Sequence, residues 1–494
     1  MMHRVDRRRA AGVFTWGVAV LVWLVAVPAQ AQDAKAVVAA ATKAMGVTNL
    51  TSVVFRGSAA EGNFGQSRRI SFGLASTSIR NYQRAIDFTA PASHATGEAL
   101  PPAPRGGAEP QLFDYTETVT AATPGWAQQL QIWGTPWGFL KGAASAPTVT
   151  LKSRTVEGVA YRLLEWSPAQ KSPSGKPYRV IGYINAQDLV ERVETWVEHP
   201  LMGDLNVLFT YSDYRDVGGL QVPLRLSQKL AGMETFVVAI TQARANPPIL
   251  AEFMPAVSPA PAAAPTAAPA PTPALPPVGS ERLADGVYRI TGGYVSLAVE
   301  FKDHVIVLEG GESEARGLAV IAETKRLFPS KRIKYVVNTH PHFDHALGLP
   351  PFVAEGITVI TDDNSKFWVG AAMSEPRTLA ADVLAKSGKK PKVEGVIDVR
   401  VLKDDTRTLE LHHVEGLQHS DAMLIGYLPG ERILFTADFN PPRPGQPMSP
   451  SLVTLVENLE RLKLDVDRHV TVHAPVPDRP LTRADLDEWV KGAR

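Results

Sequence analysis

Residues 339–348 read THPHFDHALG and directly follow the apolar run 333–337. Four potential metal ligands occur within six positions: His340, His342, Asp344 and His345. Neutral imidazole and carboxylate together suit zinc and related divalent metals. The pattern therefore predicts a metal site at the end of a strand. The alternative, a loop of surface histidines, is disfavoured because four ligand-type residues within six positions at a strand end are improbable by chance. The clustering is also regional, since nine of the twelve histidines lie after residue 281.

The chain contains no cysteine. This excludes disulfides, thiolate zinc ligands and cysteine nucleophiles, so any metal must be held by His, Asp or Glu. The 494 residues suffice for about three domains. Because 51 basic residues nearly balance 50 acidic ones, the charge gives no reason to expect nucleic acid or an anionic surface as a partner.

Residues 1–31 are typical of an export signal. A basic start precedes the apolar run 10–27, and Ala29 to Ala31 form a small-x-small cleavage site. We predict cleavage after Ala31 and a periplasmic or secreted mature chain with no stable membrane span. An uncleaved anchor is the alternative, since the run has about the minimum length for a span. Sec and Tat export both stay open.

Residues 255–278 consist almost entirely of proline and alanine. Such a segment cannot bury a core and is expected to be extended, on the order of 70 Å when fully stretched. We interpret it as a linker between two domains, residues 32–254 and 279–494. The alternative is a ligand for proline-binding domains.

Residues 32–254 are predicted to form a mainly antiparallel β domain over a helix at Ala34 to Met45. Strand-like runs recur between turn signals, at 51–55, 69–72, 148–153, 161–166, 178–184, 190–197, 205–211, 222–228 and 235–240. From Tyr178 onward, their spacing resembles the open β-barrel of outer-membrane lipoprotein carriers and related periplasmic proteins. That resemblance implies a concave face for an apolar ligand, and the alternative is a structural or docking module.

Residues 279–494 alternate strand and helix patterns, which predicts an α/β domain of two face-to-face sheets covered by helices. The predicted strands are 286–290, 295–301, 304–308, 333–338, 358–360, 407–412, 422–427, 432–435 and 469–472. The predicted helices are 314–327, a helix from about Ala346, 365–372, 451–462 and a last helix from Thr482.

The HxHxDH pattern, GLQHSDAMLIGYLPGERILFTADF (416–439) and RHVTVHAP (468–475) resemble, in this order, the motifs of the metallo-β-lactamase superfamily. The resemblance implies an αββα sandwich. It also implies one metal held by His340, His342 and His419, a second held by Asp344, His345 and His473, and Asp438 between them.

Several other polar residues have open roles. Glu309 stands where aspartate is more common in the superfamily. Residues at this position orient the metal ligands through hydrogen bonds, so the departure leaves open whether Glu309 does the same. Asp362 and Asp363 either supply such support or are solvated charges. His412 and His413 lie on a strand that points them to opposite faces. One of them is a candidate to support a ligand or to donate a proton at the site, and the alternative for both is a place in the core or on the surface.

The resemblance implies hydrolysis by a metal-bound hydroxide, with Asp344 as the catalytic residue that moves the proton of the nucleophile. We expect two zinc ions, with iron or manganese as alternatives. The expected bonds are ester, lactone or amide, including β-lactam. In the superfamily that the chain resembles, true β-lactamases generally have Cys or Ser in place of the bridging aspartate. The chain lacks cysteine and has Asp438 there, so the resemblance weighs against a dedicated penicillinase. Export and the balanced charge weigh against a nucleic-acid substrate.

The substrate is predicted to be a small molecule with an apolar part, because aromatic residues are expected near the mouth of the site: Tyr294, Phe343, Phe367 and Trp368. The alternative for each of them is a place in the core. A rival function is a periplasmic lipophile-binding or envelope-assembly protein with a vestigial metal domain. The sequence leaves the oligomeric state open.

Overall fold

A computed structural model describes residues 27–70, 73–102, 110–255, 275–442 and 448–491. The predicted export signal up to residue 26 and residues 256–274 of the predicted linker lie outside these ranges. Among the helices in the described ranges, none is long and apolar enough to cross a membrane. Export, cleavage and the linker therefore stay predictions.

The described residues of the N-terminal half form one antiparallel sheet, three α-helices and a short 3₁₀ helix at Leu250–Glu252. The elements in chain order are α1 (Val27–Ala44), β1 (Ser52–Gly62), β2 (Ser76–Asp87), β3 (Ala92–Leu100), β4 (Phe113–Thr120), α2 (Trp126–Trp133), α3 (Pro136–Ser145), β5 (Thr150–Val156), β6 (Val159–Trp166), β7 (Val180–Ile184), β8 (Val190–His199), β9 (Gly203–Val217), β10 (Leu220–Leu230) and β11 (Met233–Ala245). The strand order is β4-β3-β2-β1-β11-β10-β9-β8-β7-β6-β5.

The inner face of this sheet buries aromatic side chains of α2 and α3. Trp126, Trp137 and Phe139 are fully buried, and a Cβ at Gly182 of β7 would meet the ring of Phe139 at 2.2 Å. Thr135 caps α3 by accepting a hydrogen bond from the backbone N–H of Gly138 at 3.0 Å. The predicted mainly antiparallel β domain is confirmed, whereas the resemblance to lipoprotein carriers stays a prediction.

Some local predictions for this half are wrong. Residues 69 and 70, predicted to begin a strand, lie in the loop between β1 and β2, and residues 71–72 lie outside the described ranges. The predicted helix at 34–45 is the end of the longer α1. The strands β2, β3 and β4 and the helices α2 and α3 were not predicted. The sequence of β2, STSIRNYQRAID, is mostly polar, and its few apolar residues are all buried. It therefore shows no clear alternation of apolar and polar residues that would predict a strand.

The C-terminal half contains two sheets with helices on their outer faces. Its elements in chain order are β12 (Gly279–Ala284), β13 (Val287–Thr291), β14 (Ser296–Glu300), β15 (His304–Leu308), α4 (Glu314–Leu327), β16 (Arg332–Val337), α5 (Phe343–Ala346), α6 (Leu349–Glu355), β17 (Thr358–Asp362), α7 (Asp363–Ser374), α8 (Val383–Ser387), β18 (Val393–Val396), β19 (Val399–Lys403), β20 (Thr408–His413), β21 (Leu424–Leu428), β22 (Ile433–Thr436), α9 (Pro450–Arg461), β23 (Arg468–Thr471), β24 (Leu481–Thr482) and α10 (Arg483–Val490).

Strands β12 to β18 form one sheet in chain order and β19 to β24 form the other. Apolar side chains from both sheets make a common core, and a Cβ at Gly426 of β21 would meet the side chain of Leu308 of β15 at 2.3 Å. The predicted αββα sandwich is confirmed. The single helix expected from about Ala346 is instead two short helices, because Gly348 lies against the backbone of Gly310 and Gly311.

Parallel strand pairs place the predicted ligands at one edge of the sandwich. β15 pairs with β16 and β22 pairs with β23 in parallel. The HxHxDH turn follows β16, Asp438 follows β22, and His473 follows β23. Because the carboxyl ends of parallel strands share an edge of their sheet, Asp438 and His473 lie close together. The packing of the two sheets around a common core places the HxHxDH turn beside them.

Several turns of the N-terminal sheet pack against the C-terminal half. In the turn between β6 and β7, the Ser174 N–H donates to the carbonyl oxygen of Leu379 at 3.1 Å. Arg377 donates from Nη1 to the carbonyl oxygen of Leu201, in the turn between β8 and β9, at 3.0 Å. Asp204 accepts hydrogen bonds from the Leu379 N–H at 2.9 Å and from the Thr378 hydroxyl at 2.8 Å. Another turn, residues 63–70 between β1 and β2, is called the β1–β2 loop, and it contacts the predicted metal site.

Candidate metal centre

The structure brings all seven predicted ligands together in two groups. The first group is His340, His342, His419 and Asp438, and the second is Asp344, His345 and His473. Within each group, the potential ligand atoms all lie within 4.8 Å of one another. Each group offers the imidazole and carboxylate donors that a zinc site uses.

Asp438 lies between the two groups. Its Oδ2 is 3.1 Å from His340 Nε2 and 2.5 Å from His419 Nε2. Its Oδ1 is 3.2 Å from His345 Nε2 and also pairs with His473 Nε2. One carboxylate thus directs one oxygen at each group, as a bridging ligand would. The left-handed backbone of Asp438, with φ 58°, holds the carboxylate in this position.

Contacts outside the centre fix two of the rings. The Nε2 atom of His342 is 3.1 Å from the carbonyl oxygen of Ser67, and His345 Nδ1 is 3.2 Å from the Glu309 carboxylate. The other nitrogen of each ring is buried. His342 Nδ1 makes no hydrogen bond to any described residue, and His345 Nε2 faces the carboxylates of Asp344 and Asp438 at 3.4 and 3.2 Å. A buried nitrogen left without a partner is costly, and a bound metal would satisfy it, so the residues fit a divalent metal.

Burial favours the neutral form of two histidines of the first group, His340 and His342. Burial and the neighbouring His345 lower the pKa of His340 well below its usual value. Burial and the neighbouring His419 lower the pKa of His342 to about 4. Both imidazoles are therefore neutral near pH 7, which is the form that binds metals.

Glu309 contacts a ligand of the centre on the side away from the metal donors. It is fully buried at the end of β15 with φ 74°. Its carboxylate accepts a hydrogen bond from Thr339 Oγ1 at 2.7 Å and faces His345 Nδ1. The departure from aspartate at this position therefore retains a carboxylate that orients a ligand ring.

Two neutral donors hold Asp344. The hydroxyl of Tyr294 donates to Oδ2 at 3.0 Å, and Gln66 Nε2 donates to Oδ1 at 2.6 Å. Burial and the charge of Asp344 raise the pKa of Tyr294, which therefore stays protonated and remains a donor. Burial raises the pKa of Asp344, but the stronger opposing effect of the hydrogen bonds from His345 and Gln66 holds it below its usual range.

The remaining predicted residues have other roles. Phe343 packs against the rings of Phe64 and Trp368, while Phe367 is 80% exposed. Asp362 is buried, caps α7 and pairs with His413 Nδ1 at 2.6 Å, whereas Asp363 is only partly buried. His412 pairs with Glu410. Among the described contacts, neither His412 nor His413 hydrogen-bonds a predicted ligand.

Three residues of the β1–β2 loop contribute to the centre and were not predicted. Gln66 binds Asp344, Ser67 offers its carbonyl to His342, and Arg68 pairs with Asp421 at 2.6 Å. A cleft of about 760 Å³ opens between this loop and the ligands His342 and His419. These residues lie 275 to 353 positions before their partners in the chain. An amide, a backbone carbonyl and an arginine form no metal-ligand pattern, so the sequence offers no signal for them.

The family model of the metallo-beta-lactamase superfamily matches residues 290–473. Among solved structures, the chain is similar to a metallo-beta-lactamase from Pontibacter korlensis (17% identity, 44% of this chain and 98% of that chain, TM-score 0.34). It is also similar to one from Hirschia baltica (18% identity, 44% of this chain and 97% of that chain, TM-score 0.34). A third similar structure is the mono-zinc form of the metallo-beta-lactamase FIM-1 from Pseudomonas aeruginosa (16% identity, 44% of this chain and 94% of that chain, TM-score 0.33).

No curated protein matches the chain significantly. The match to the family model includes all seven residues of the candidate centre. Residues 290–473 therefore belong to the metallo-beta-lactamase superfamily.

Proposed function

We propose that the protein is an exported hydrolase that cleaves an ester, lactone or amide bond, including that of a β-lactam, with two zinc ions at this centre. The observation that carries the proposal is Asp438, whose two oxygens face two separate groups of donors. Two zinc ions bound by these groups would activate water at neutral pH and polarise the oxygen of the scissile bond.

The side chains around the centre then orient the reactants and move a proton. Asp344 accepts the proton of the attacking water and returns it to the leaving group. Tyr294 and Gln66 hold the Asp344 carboxylate from two sides. The cleft beside His342 and His419 admits a small molecule, and Leu74 and Pro450 in its lining favour one with an apolar part.

The rival function, lipophile binding by the N-terminal half, has less support. A cavity of about 500 Å³ lies against β1, β4, β10 and α2, but its lining includes Glu61, Glu117 and Gln131. Carboxylates and amides without a polar ligand disfavour an apolar occupant.

Activity assays test the hydrolase. The zinc-loaded protein is assayed with a lactone, an aryl ester, a thioester, nitrocefin and a bis-aryl phosphate, and we expect turnover of an ester or lactone. Asp344→Asn should lower kcat about 100-fold or more, because it removes the proton acceptor but keeps the side-chain size. Unchanged activity in Asp344→Asn and His342→Ala, at retained fold, would contradict the proposal.

Metal analysis tests the dinuclear centre independently. We expect about two zinc ions per chain and about one in Asp438→Asn, because asparagine tolerates the left-handed backbone but cannot bridge two cations. Iron or manganese instead of zinc would change the proposed chemistry. Fewer than about one metal per chain in the unmodified protein would contradict it.

A further inference from the structure

We propose that the β1–β2 loop of the N-terminal half forms one wall of the substrate cleft, where Arg68 and Arg69 select substrates that carry a carboxylate. The inference rests on the proposed hydrolase function and specifies its substrate class. It assigns substrate recognition to a segment outside the metallo-beta-lactamase domain.

The loop is fixed against the metal centre by its own backbone. The Phe343 N–H donates to the carbonyl oxygen of Gly65, and the Asp421 N–H donates to that of Arg68, each at 3.0 Å. Gly65 has φ 89°, and a Cβ there would lie 2.0 Å from the ring of Phe343. The close contact at Gly65 and the bond at Arg68 hold both ends of the segment that carries Gln66 and Ser67.

The cleft joins this loop to the metal ligands. Its lining includes His342 and His419 on the C-terminal side and Asn63, Gln66, Arg68 and Arg69 on the N-terminal side. The described lining residues include no aspartate or glutamate. Apart from the two histidines, Arg68 and Arg69 are the titratable side chains among them. Bound metals would add further positive charge. A substrate in this cleft is therefore favoured when it is anionic.

Arg68 is held in place while part of its guanidinium remains available. Its Nε donates to Asp421 Oδ1 at 2.6 Å and its Nη1 donates to Gln418 Oε1 at 2.8 Å. The Nη2 atom makes no hydrogen bond to a described residue, and the side chain is 30% exposed. Arg69 also pairs with Asp421. A guanidinium oriented in advance binds a carboxylate at a smaller entropic cost than a flexible one.

Two matched esters test this inference. 4-Nitrophenyl butyrate and mono-4-nitrophenyl glutarate share a leaving group and differ in a terminal carboxylate. We expect a higher kcat/KM for the glutarate ester. Arg68→Gln should lower the ratio of the two kcat/KM values about tenfold, because a hydrogen bond to a charged group contributes about 1.5 kcal/mol or more. Arg68→Glu should lower the ratio further.

Asp421→Asn is the matched control. It weakens the ion pairs that orient the two arginines but retains both of them, so the preference for the glutarate ester should be reduced less than in Arg68→Gln. If Arg68→Gln lowers both kcat/KM values equally, Arg68 only holds the loop and the inference is overturned. A wild-type protein with equal kcat/KM for the two esters overturns the inference while leaving the hydrolase intact.

Binding separates failure of the inference from failure of the proposed function. A wild-type protein that hydrolyses neither ester counts against the hydrolase alone. Calorimetric titration with the unreactive 4-(4-nitrophenoxy)butanoate then tests the cleft, and the Kd should rise about tenfold in Arg68→Gln. An equal Kd in wild type and variant overturns the inference.

Discussion

Glu309 connects the backbone at the end of β15 to a ligand ring. Its carboxylate lies 3.2 Å from His345 Nδ1 and so leaves His345 Nε2 directed at the centre. The residue has a left-handed backbone and is fully buried. Such a conformation costs roughly 1–3 kcal/mol and persists only where the surroundings require it. The contact of Glu309 with His345 is therefore a reason for this backbone conformation.

We predict that Glu309→Gln weakens zinc binding about 10- to 100-fold, because the amide keeps the size of the side chain but removes the charge that orients His345. Competition with a chelating dye measures the affinity. Glu410→Gln is the matched control, because it changes a carboxylate that pairs with His412. Equal zinc affinity in Glu309→Gln and wild type would show that Glu309 does not support the centre.

The residues at the centre differ in how far the sequence predicts them. His340, His342, Asp344 and His345 are close in the chain, so these residues alone predict a metal site. The other three ligands, His419, Asp438 and His473, could be predicted only from the resemblance to the metallo-β-lactamase superfamily. Ser67 acts through its backbone carbonyl and Gln66 through a neutral amide. Neither type of contact has a local pattern, since it depends on how the two halves pack.

Among the elements, those with a clear apolar pattern were predicted, whereas the helix α3 and the largely polar strand β2 were not. The helix α4 matches its predicted bounds, 314–327. In contrast, α3 (PWGFLKGAAS) buries seven of its ten residues and therefore lacks a polar face that would reveal its period. The fold class could be predicted because the strands that carry the ligands are short, apolar and bounded by turns.

The turn between β8 and β9 contains a titratable group at the contact of the two halves. His199 Nδ1 accepts hydrogen bonds from the N–H groups of Leu201 and Met202 at 3.2 and 3.1 Å. Its ring packs against Phe343, with 4.7 Å between the ring centroids. Burial and, secondarily, the charge of Arg377 lower the pKa of His199 to about 4. The neutral ring is therefore favoured in the folded protein.

This lowered pKa predicts a loss of stability in acid. The unfolded chain binds a proton at His199 below about pH 6.5, whereas the folded protein does so only near pH 4. The contribution is complete above pH 6.5 and decreases as the pH falls towards 4, by about 1–2 kcal/mol for this partly exposed ring. Urea unfolding at pH 7.5 and pH 5 should therefore show a smaller decrease for His199→Asn than for wild type.

Other histidines titrate equally in both proteins, so the difference between wild type and His199→Asn isolates this one. Asparagine can still accept a hydrogen bond from the backbone N–H of Met202. Identical pH dependence of the unfolding free energy in the two proteins would contradict the assigned role of His199.

On the scale of the whole molecule, the two halves form one packed unit. A single cluster of buried apolar residues includes Val193 and Phe209 from the first half and Val336 and Phe352 from the second. The side chains of Arg377 and Asp382 form a pair that is nearly buried, and Arg377 also donates to the turn between β8 and β9. These contacts therefore join the two halves independently of the linker.

We predict that the halves stay associated after the linker is cut. A protease site inserted within residues 256–274 allows cleavage, and the two fragments should then elute together in size exclusion and retain zinc. Arg377→Ala should weaken this association, because it removes the hydrogen bonds that Arg377 donates across the interface to the carbonyl oxygens of Pro200 and Leu201, at a cost of about 1.5–3 kcal/mol. Lys152→Ala, a matched change of an exposed cation, should have no effect. Separation of the cut wild-type fragments would show that the linker, rather than the interface, keeps Gln66 and Ser67 at the metal centre.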